Sequence, residues 1–249
     1  MLKKQLLIII PARSGSKTIK NKNTKKINGV PLIEYTFRFI NKIKENSKEV
    51  YCSTDSSKIQ NLAIKFGIVS KPMRPKKYSK DNSRDIDFVN HSLKVFLKKK
   101  IKFKYCLILR PTNPIRSKSN LNNSYKQFIK NKKADSLKSI FPTKKTPFKS
   151  WLKSGKFIKP ITKLKNFHES YNAPRQQLPR AFDQTGTYEY IRINYKKSIN
   201  SISGKNITYY DIPENECFDV DNIKDIKNLE QYLKNKKFFS VHKSSQLSY

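Results

Sequence analysis

Positively charged side chains cluster in a short turn that follows the first apolar run of the chain. Residues 11–17 read Pro-Ala-Arg-Ser-Gly-Ser-Lys, and Lys22 follows five residues later. Arg13, Lys17 and Lys22 supply the charge that neutralises a triphosphate. Gly15 and its small serine neighbours let backbone N–H groups approach an anion closely. From charge alone, the turn is equally typical of a solvated basic loop in a lysine-rich chain.

Two carboxylates lie close together near the other end of the chain. Asp219 and Asp221 are separated by one residue, so on an extended segment both side chains project from the same side. There they can share a hard cation such as Mg²⁺. Alternatively, the segment only opens the last helix, with Asp221 or Asn222 as its N-cap. From these residues alone, the capping role is the simpler interpretation.

The remaining reactive residue types indicate less. Thr54 and Asp55 are a second candidate ligand pair, although Asp55 is equally placed to cap a helix that begins near residue 57. The three cysteines are odd in number and lack C-x-x-C spacing, which argues against a disulfide framework or a zinc site and fits a reducing cytoplasm. The histidines lack a second histidine at ligand spacing, so histidine catalysis is not indicated. These residues are Cys52, Cys106, Cys217, His91, His168 and His242.

The elements that must position these residues alternate between strand and helix. Short apolar runs predict strands at residues 6–10, 50–53, 105–109 and 136–141. Amphipathic stretches predict a helix that begins at Pro31 and helices over residues 57–66, 85–97, 118–129 and 223–233. This alternation is typical of an α/β fold with a mainly parallel sheet. The basic turn then lies at the carboxyl edge of the first strand, where ligands bind in open α/β sheets.

A proline-interrupted segment at residues 143–183 breaks this rhythm. It is too long for an ordinary loop, so we expect it to be functional or to pack against a second subunit. We predict one domain over residues 1–249, with 143–183 as an inserted excursion for dimerisation. The first apolar run is too short to span a membrane, so no membrane partner is predicted.

The formal net charge of +36 suggests a polyanionic partner. However, 45 of the 54 basic residues are Lys and only 9 are Arg, whereas groove reading and bidentate phosphate binding favour Arg. The lysines are also spread along the whole chain. We therefore predict no nucleic-acid partner, and a basic nucleic-acid-binding protein remains a less favoured alternative.

Six motifs occur in a fixed order along the chain. They are residues 10–17 with 22–23 and 28–33, Ser53-Thr54-Asp55-Ser56, Arg74-Pro75 with Asp81, residues 109–116, residues 174–179 with Gly186, and Phe218-Asp219-Val220-Asp221. Together they resemble the motifs of the acylneuraminate cytidylyltransferases, or CMP-sialic acid synthetases, in the sugar nucleotidyltransferase superfamily. The resemblance implies a three-layer Rossmann-like nucleotidyltransferase fold. It also implies transfer of CMP from CTP to the anomeric hydroxyl of a sialic-acid-like (nonulosonic) sugar acid, with release of pyrophosphate.

The resemblance also assigns roles to individual residues. The catalytic set is Arg13, Lys17, Lys22 and Asp221. The CTP-binding set is Ala12, Arg13, Ser14, Gly15, Lys22, Asn23, Arg74 and Ser83. The sugar-binding set is Arg110, Lys149, Arg175, Gln176 and Gln177. Asp219 and Asp221 are the implied ligands of a Mg²⁺ cofactor, and a cytoplasmic homodimer is implied in which the excursion enters the twin subunit.

The chain departs from the family at positions that contact substrate. Arg110 replaces a Gln that contacts the sugar, which changes the charge of the pocket. Asp183 and Thr185 replace Arg and Asn, Thr18 replaces a common Gly, and Asp85 replaces a small residue near the predicted base pocket. N-acetylneuraminic, legionaminic and pseudaminic acids therefore all remain candidate substrates. The alternative is a related nucleotidyltransferase that uses a 3-deoxy-manno-octulosonate-type acid or a different nucleoside triphosphate.

Overall fold

Ten strands and five α-helices are present in the computed structural model, which describes residues 2–43, 48–165, 167–195 and 200–245. The strands are β1 (Leu2–Pro11), β2 (Lys26–Ile27), β3 (Val30–Pro31), β4 (Lys48–Ser53), β5 (Ile101–Ile108), β6 (Ser136–Pro142), β7 (Trp151–Ser154), β8 (Phe157–Pro160), β9 (Phe182–Arg192) and β10 (Ile207–Asp211). The helices are α1 (Leu32–Asn41), α2 (Ser57–Lys65), α3 (Asp85–Lys98), α4 (Lys118–Lys130) and α5 (Ile223–Ser245). In the part of the chain that the structure describes, no helix combines the length and apolar character needed to span a bilayer.

The chain divides into two compact units. The first combines Met1–Ser139 with Thr185–Tyr249, and the second is Ile140–Gln184. Six strands form the main sheet in the order β10-β6-β9-β5-β1-β4. The predicted α/β fold with a mainly parallel sheet is confirmed.

Strand β1 is the centre of this architecture. It pairs in parallel with β4 on one side and with β5 on the other. Its run Leu7 to Ile10 is almost completely buried, as expected for a strand covered on both faces of a parallel sheet. Because Pro11 lies opposite Ser53 and Ile9 lies opposite Ile108, the segments that follow β1, β4 and β5 leave the sheet at the same edge.

The sequence pattern did not predict β9 and β10. Strand β9 runs antiparallel to β5, with Ile108 opposite Glu189. Its sequence mixes polar and apolar residues and has no clear strand pattern. Strand β9 is therefore stabilised mainly by pairing with its neighbours in the sheet. Glu189 has no exposed surface, so an ionisable side chain lies inside the sheet at this point.

The second unit contains an antiparallel hairpin formed by β7 and β8. Between β6 and β9 the unit otherwise consists of three short 3-10 helices and irregular segments. Apolar side chains of the hairpin are exposed, including Leu152, Phe157 and Ile158.

Candidate active site

A cavity of about 310 Å³ lies in the first unit, at the carboxyl edge of β1, β4 and β5. Its walls come from the basic turn, from the segment that precedes α3, and from the residues that follow β5. Seven of the residues assigned to substrate by sequence line it, namely Arg13, Gly15, Lys22, Asn23, Arg74, Ser83 and Arg110. The chain thus brings together side chains that are distant in sequence.

The basic turn is fastened to the end of β4. The backbone N–H of buried Ala12 donates to Ser53 O over 2.9 Å, which extends the sheet by one residue. The Asp55 carboxylate accepts from the Ser14 N–H at 2.7 Å and from the Ser14 hydroxyl at 2.8 Å. The resemblance assigns Ser14 to CTP binding. Here its N–H and hydroxyl groups bind Asp55 instead and hold the turn to the end of β4.

This arrangement does not support Thr54 and Asp55 as a ligand pair. The Thr54 hydroxyl accepts from the Ser56 N–H, and Asp55 is engaged with Ser14. Asp55 also does not cap α2, because the Ser56 side chain accepts from the Ile59 N–H and is the N-cap. The physical role of Asp55 is to orient the basic turn.

An acidic residue neutralises two cations of the turn. Asp81 accepts from Arg13 Nη1 at 2.6 Å and pairs with Lys17 Nζ at 3.1 Å. Hydrogen bonds from Arg13 and then from Lys17 lower the pKa of the Asp81 carboxyl, so it remains ionised. Arg13 and Lys17 consequently converge on one anion, although the exposed Lys17 does not line the cavity itself.

The segment that carries Asp219 and Asp221 is fixed to the loop after β5. The Val220 N–H donates to Thr112 O, and Asn113 Nδ2 donates to Phe218 O, both over 2.9 Å. Val220 is fully buried, whereas Asp219 and Asp221 on either side of it are exposed. Exposed and buried side chains therefore alternate along residues 219–221, as the sequence predicts for an extended segment.

Gly186 on β9 makes room for this attachment. A Cβ at this position would lie 2.3 Å from Asn113 Oδ1 and 2.7 Å from Arg110 Cδ. Only glycine therefore permits Asn113 to occupy the position from which it holds Phe218.

An ion pair at this edge joins Lys22, which follows the basic turn, to Asp221 of the acidic segment. Lys22 Nζ lies 3.0 Å from Asp221 Oδ1. The sequence left either Asp221 or Asn222 as the N-cap of α5. In the structure Asn222 Oδ1 accepts from the N–H groups of Lys224 and Asp225. The capping role belongs to Asn222, and the Asp221 carboxylate is left to pair with Lys22.

The two carboxylates have the chemistry that a divalent cation requires. Desolvation by burial, and then the charge of Asp221, raise the pKa of Asp219, although the residue as a whole is exposed. Such mutual repulsion is relieved by a shared cation. The described residues contain no group of three or more potential His, Cys, Asp or Glu ligands. Two carboxylates completed by substrate phosphates nevertheless fit Mg²⁺, which seldom takes an all-protein cage.

Arg74 and Ser83, the residues assigned to cytosine, lie on the wall of the same cavity. Arg74 is buried, its Nε donates to Ser53 Oγ at 3.0 Å, and its guanidinium lies 5.2 Å from the centre of the Phe88 ring. Burial lowers the pKa of Arg74. The Ser83 hydroxyl donates to Lys77 O at 3.3 Å. Arg74 is thus a rigid donor beside an aromatic face.

The positive charge of Arg110 is neutralised by two carboxylates of the same chain. Its Nη2 donates to Asp85 Oδ2 and, over 2.9 Å, to Glu189 Oε2. Glu189 also pairs with Lys138, whose pKa is lowered by burial and then by the charge of Arg110. The expected change in pocket charge is therefore offset by Asp85 and Glu189. The sequence analysis did not identify Lys138 or Glu189 as site residues. An ionisable residue inside the predicted strand 136–141 was the available signal for Lys138, whereas Glu189 lies on β9, which the sequence did not predict.

The remaining residues assigned to the sugar lie in the second unit. Arg175 donates from Nη2 to Thr143 O at 3.0 Å and lines a cavity of about 310 Å³ within that unit. Its other walls include Leu178, Arg180 and Phe182. Lys149, Gln176 and Gln177 are exposed. Their sugar-binding role stays a prediction.

Comparisons with known proteins give a consistent picture. Residues 7–245 match the family model described as Cytidylyltransferase. The chain is 28% identical to the Post-translational flagellin modification protein B of Campylobacter coli, covering 93% of this chain and 96% of the relative. It is 26% identical to the Pseudaminic acid cytidylyltransferase of Campylobacter jejuni subsp. jejuni, covering 89% and 93%. A solved CMP:2-keto-3-deoxy-manno-octonic acid synthetase complexed with CTP superposes with a TM-score of 0.63 at 15% identity, covering 93% of this chain and 99% of that chain.

Proposed function

This chain belongs to the cytidylyltransferase family, and we propose that it transfers CMP from CTP to the anomeric hydroxyl of a nonulosonic sugar acid and releases pyrophosphate. The similarity to a pseudaminic acid cytidylyltransferase over most of both chains supports a nine-carbon, sialic-acid-like substrate. Pseudaminic, legionaminic and N-acetylneuraminic acids are the candidates within this class.

The observation that carries the proposal is the ion pair between Lys22 and Asp221 at 3.0 Å. Lys22 follows the basic turn, and Asp221 belongs to the acidic pair of Asp219 and Asp221. Their contact supports the proposal that cations for a triphosphate and carboxylates for its counterion act together at one cavity edge. A nucleotidyltransferase needs both, because an anionic sugar must approach a strongly negative nucleotide.

The side chains then divide the work of the reaction. Arg13 and Lys22 bind the triphosphate and neutralise its charge, and Arg74 orients the base beside Phe88. The hydroxyl oxygen of the sugar forms a bond to the α-phosphorus while the bond from that phosphorus to the β-phosphate oxygen breaks. The hydroxyl proton passes to water, and pyrophosphate leaves with both electrons of the broken bond. Catalysis by this chain is therefore mainly positioning and charge neutralisation.

Asp219 and Asp221 would hold a Mg²⁺ ion. The bound ion supplies charge stabilisation at the phosphates and lowers the pKa of the attacking hydroxyl. Both side chains belong to the segment that Thr112 and Asn113 fasten to the sheet edge.

Purified protein tests this function directly. With CTP and Mg²⁺ we expect pyrophosphate release in the presence of a nine-carbon 2-keto acid, and a CMP-sugar detectable by mass spectrometry. The panel contains N-acetylneuraminic, legionaminic and pseudaminic acids together with 3-deoxy-manno-octulosonate. Release with the octulosonate alone, or with none of the acids, would contradict the proposal.

We also propose that the protein acts as a homodimer through its second unit. Leu152, Phe157 and Ile158 of the hairpin are 58%, 78% and 56% exposed. Leu152 and Phe157 share one face of the hairpin, because Phe157 lies opposite Ser154, and Ile158 lies on the other face. Exposed apolar side chains on a small unit are typical of protein interaction sites. A second copy of the chain suits the proposed function, because Lys149 and Arg175 would then be supplied to a shared active site.

The buried free thiols of Cys52 and Cys106 support a reducing, cytoplasmic location for this enzyme.

The Phe157→Asp variant should convert the dimer to a monomer. A charge in the centre of an apolar interface is strongly unfavourable when it lacks a partner. Sedimentation velocity should therefore give twice the 29.2 kDa chain mass for the wild type and a single chain mass for the variant. Lys132→Asp, at an exposed position of the first unit, is the matched control and should remain dimeric. A monomeric wild type, or a dimeric Phe157→Asp variant, would argue against this interface.

A further inference from the structure

One end of the active-site cavity combines a fixed donor with a fixed carboxylate. Asp85 is the first residue of α3, and Phe88 lies nearly one turn further along the same helix. Both line the cavity. The Arg74 guanidinium lies over the Phe88 ring, and the charge of Asp85 acts on Arg74. The Phe88 ring itself is only 4% exposed, so this end of the cavity presents a donor and an acceptor to a ligand.

The Asp85 carboxylate is held by one of its two oxygens. Oδ2 accepts from Arg110 Nη2, which also donates to the fully buried Glu189. Because Glu189 lies inside the sheet, it fixes the guanidinium that in turn fixes Asp85. Among the residues that the structure describes, none donates to Asp85 Oδ1. That oxygen is left to accept from a ligand.

Arg74 has a complementary arrangement. Its Nε and Nη2 both donate to Ser53, which locks the guanidinium plane against the end of β4. Within the described residues, Nη1 has no acceptor and is left to donate. The pair of groups offered to a ligand beside Phe88 is thus one N–H donor and one carboxylate acceptor.

This pair is complementary to the hydrogen-bonding edge of cytosine but not to that of uracil. Cytosine presents an exocyclic amino donor beside ring acceptors, and a carboxylate is a suitable acceptor for that amino group. Uracil presents a carbonyl oxygen in place of the amino group. An ionised carboxylate only accepts hydrogen bonds, so it cannot satisfy that oxygen. The two bases have nearly the same size, and hydrogen bonding is what can separate them.

On the basis of the proposed function, we propose that Asp85 is the specificity-determining residue that selects CTP over UTP. It accepts a hydrogen bond from the cytosine amino group, while Arg74 donates to the ring acceptors. Arg110 and Glu189 act as positioning residues because they hold the other oxygen of Asp85.

The test compares nucleotides within one variant. For Asp85→Asn we expect the ratio of kcat/KM for CTP to kcat/KM for UTP, measured with the same sugar acid, to fall by about tenfold or more. The asparagine amide can rotate its NH₂ group toward the uracil oxygen, so use of UTP should rise while use of CTP falls. Asp85→Glu keeps a carboxylate and should retain more of the CTP preference than Asp85→Asn does. Thermal melts verify that both variants are folded.

Asp87→Asn is the matched control, because Asp87 lies on the same helical turn but accepts from the Arg84 N–H and does not line the cavity. It should keep the wild-type ratio. An unchanged ratio in Asp85→Asn, with equal losses for both nucleotides, would overturn the inference and leave Asp85 as a support for Arg110 alone. A wild-type enzyme without preference for CTP would instead contradict the proposed function itself.

Discussion

Replacement of Asp221 by asparagine should lower kcat by about 100- to 1,000-fold, the range that follows removal of one electrostatic stabiliser from an active site. The variant loses the negative charge that would hold the cation and that pairs with Lys22 at 3.0 Å. The fold should be unaffected, because the Asp221 side chain is 69% exposed and the capping of α5 depends on Asn222. Asparagine also keeps the backbone N–H that donates to Asp225.

Initial rates of pyrophosphate release over a range of Mg²⁺ concentrations measure this effect. Asp211→Asn, the same change at an exposed position of β10, serves as the control and should behave like the wild type. Thermal melts of both variants should overlap that of the wild type. A kcat for Asp221→Asn close to the wild-type value at all Mg²⁺ concentrations would remove Asp221 from the catalytic centre.

Replacement of Glu189 by leucine should lower the free energy of unfolding by about 3–5 kcal/mol, the cost of leaving a buried charge without its partner. Glu189 is fully buried between Lys138 and Arg110. Arg110 would keep Asp85, but the Lys138 side chain, only 8% exposed, would face an apolar group. Because small domains unfold with only about 5–15 kcal/mol, such a loss removes a large share of the total stability.

The double variant Lys138→Met/Glu189→Leu tests the cause of this loss. Removal of both charges, with apolar groups of similar size, should recover most of the stability. Urea denaturation at one protein concentration gives the three free energies. Lys138→Met alone should also be destabilised, because Glu189 would keep only Arg110. A stable Glu189→Leu variant, or a double variant as unstable as the single one, would contradict the assigned role of this pair.

Local patterns predicted the part of the fold that surrounds β1. The run at residues 6–10 is apolar at every position because both faces of β1 are covered, and the helical stretches carry apolar stripes of their own. The structure extends most of these elements by one to four residues, and α5 continues to Ser245. Helix α2 and strand β5 each end one residue earlier than predicted. Strands β9 and β10 could not be predicted in this way. Their strand conformation depends on pairing with β5 and β6, which are far away in sequence.

In the candidate site, too, some features were predictable from local sequence and others depend on partners far away in sequence. The basic turn and the Asp219–Asp221 pair were recognisable because their residue types are unusual at that spacing. The roles of Asp55, Asp81 and Glu189 were not, because a carboxylate can bind a ligand, cap a helix or hold a neighbouring cation. Only the three-dimensional partners of each carboxylate decide among these roles. Asp55 holds Ser14, Asp81 holds Arg13 and Lys17, and Glu189 holds Lys138 and Arg110.

The most direct test of the account is a crystal structure of the protein with CTP and Mn²⁺, in which anomalous scattering locates the metal. We expect one metal peak in contact with carboxylate oxygens of both Asp219 and Asp221 and with phosphate oxygens of the nucleotide. Arg13 and Lys22 should contact the same triphosphate, and the base should lie within hydrogen-bond distance of Arg74 and Asp85. A nucleotide bound away from the basic turn, or a metal that contacts neither aspartate, would contradict the proposed catalytic centre.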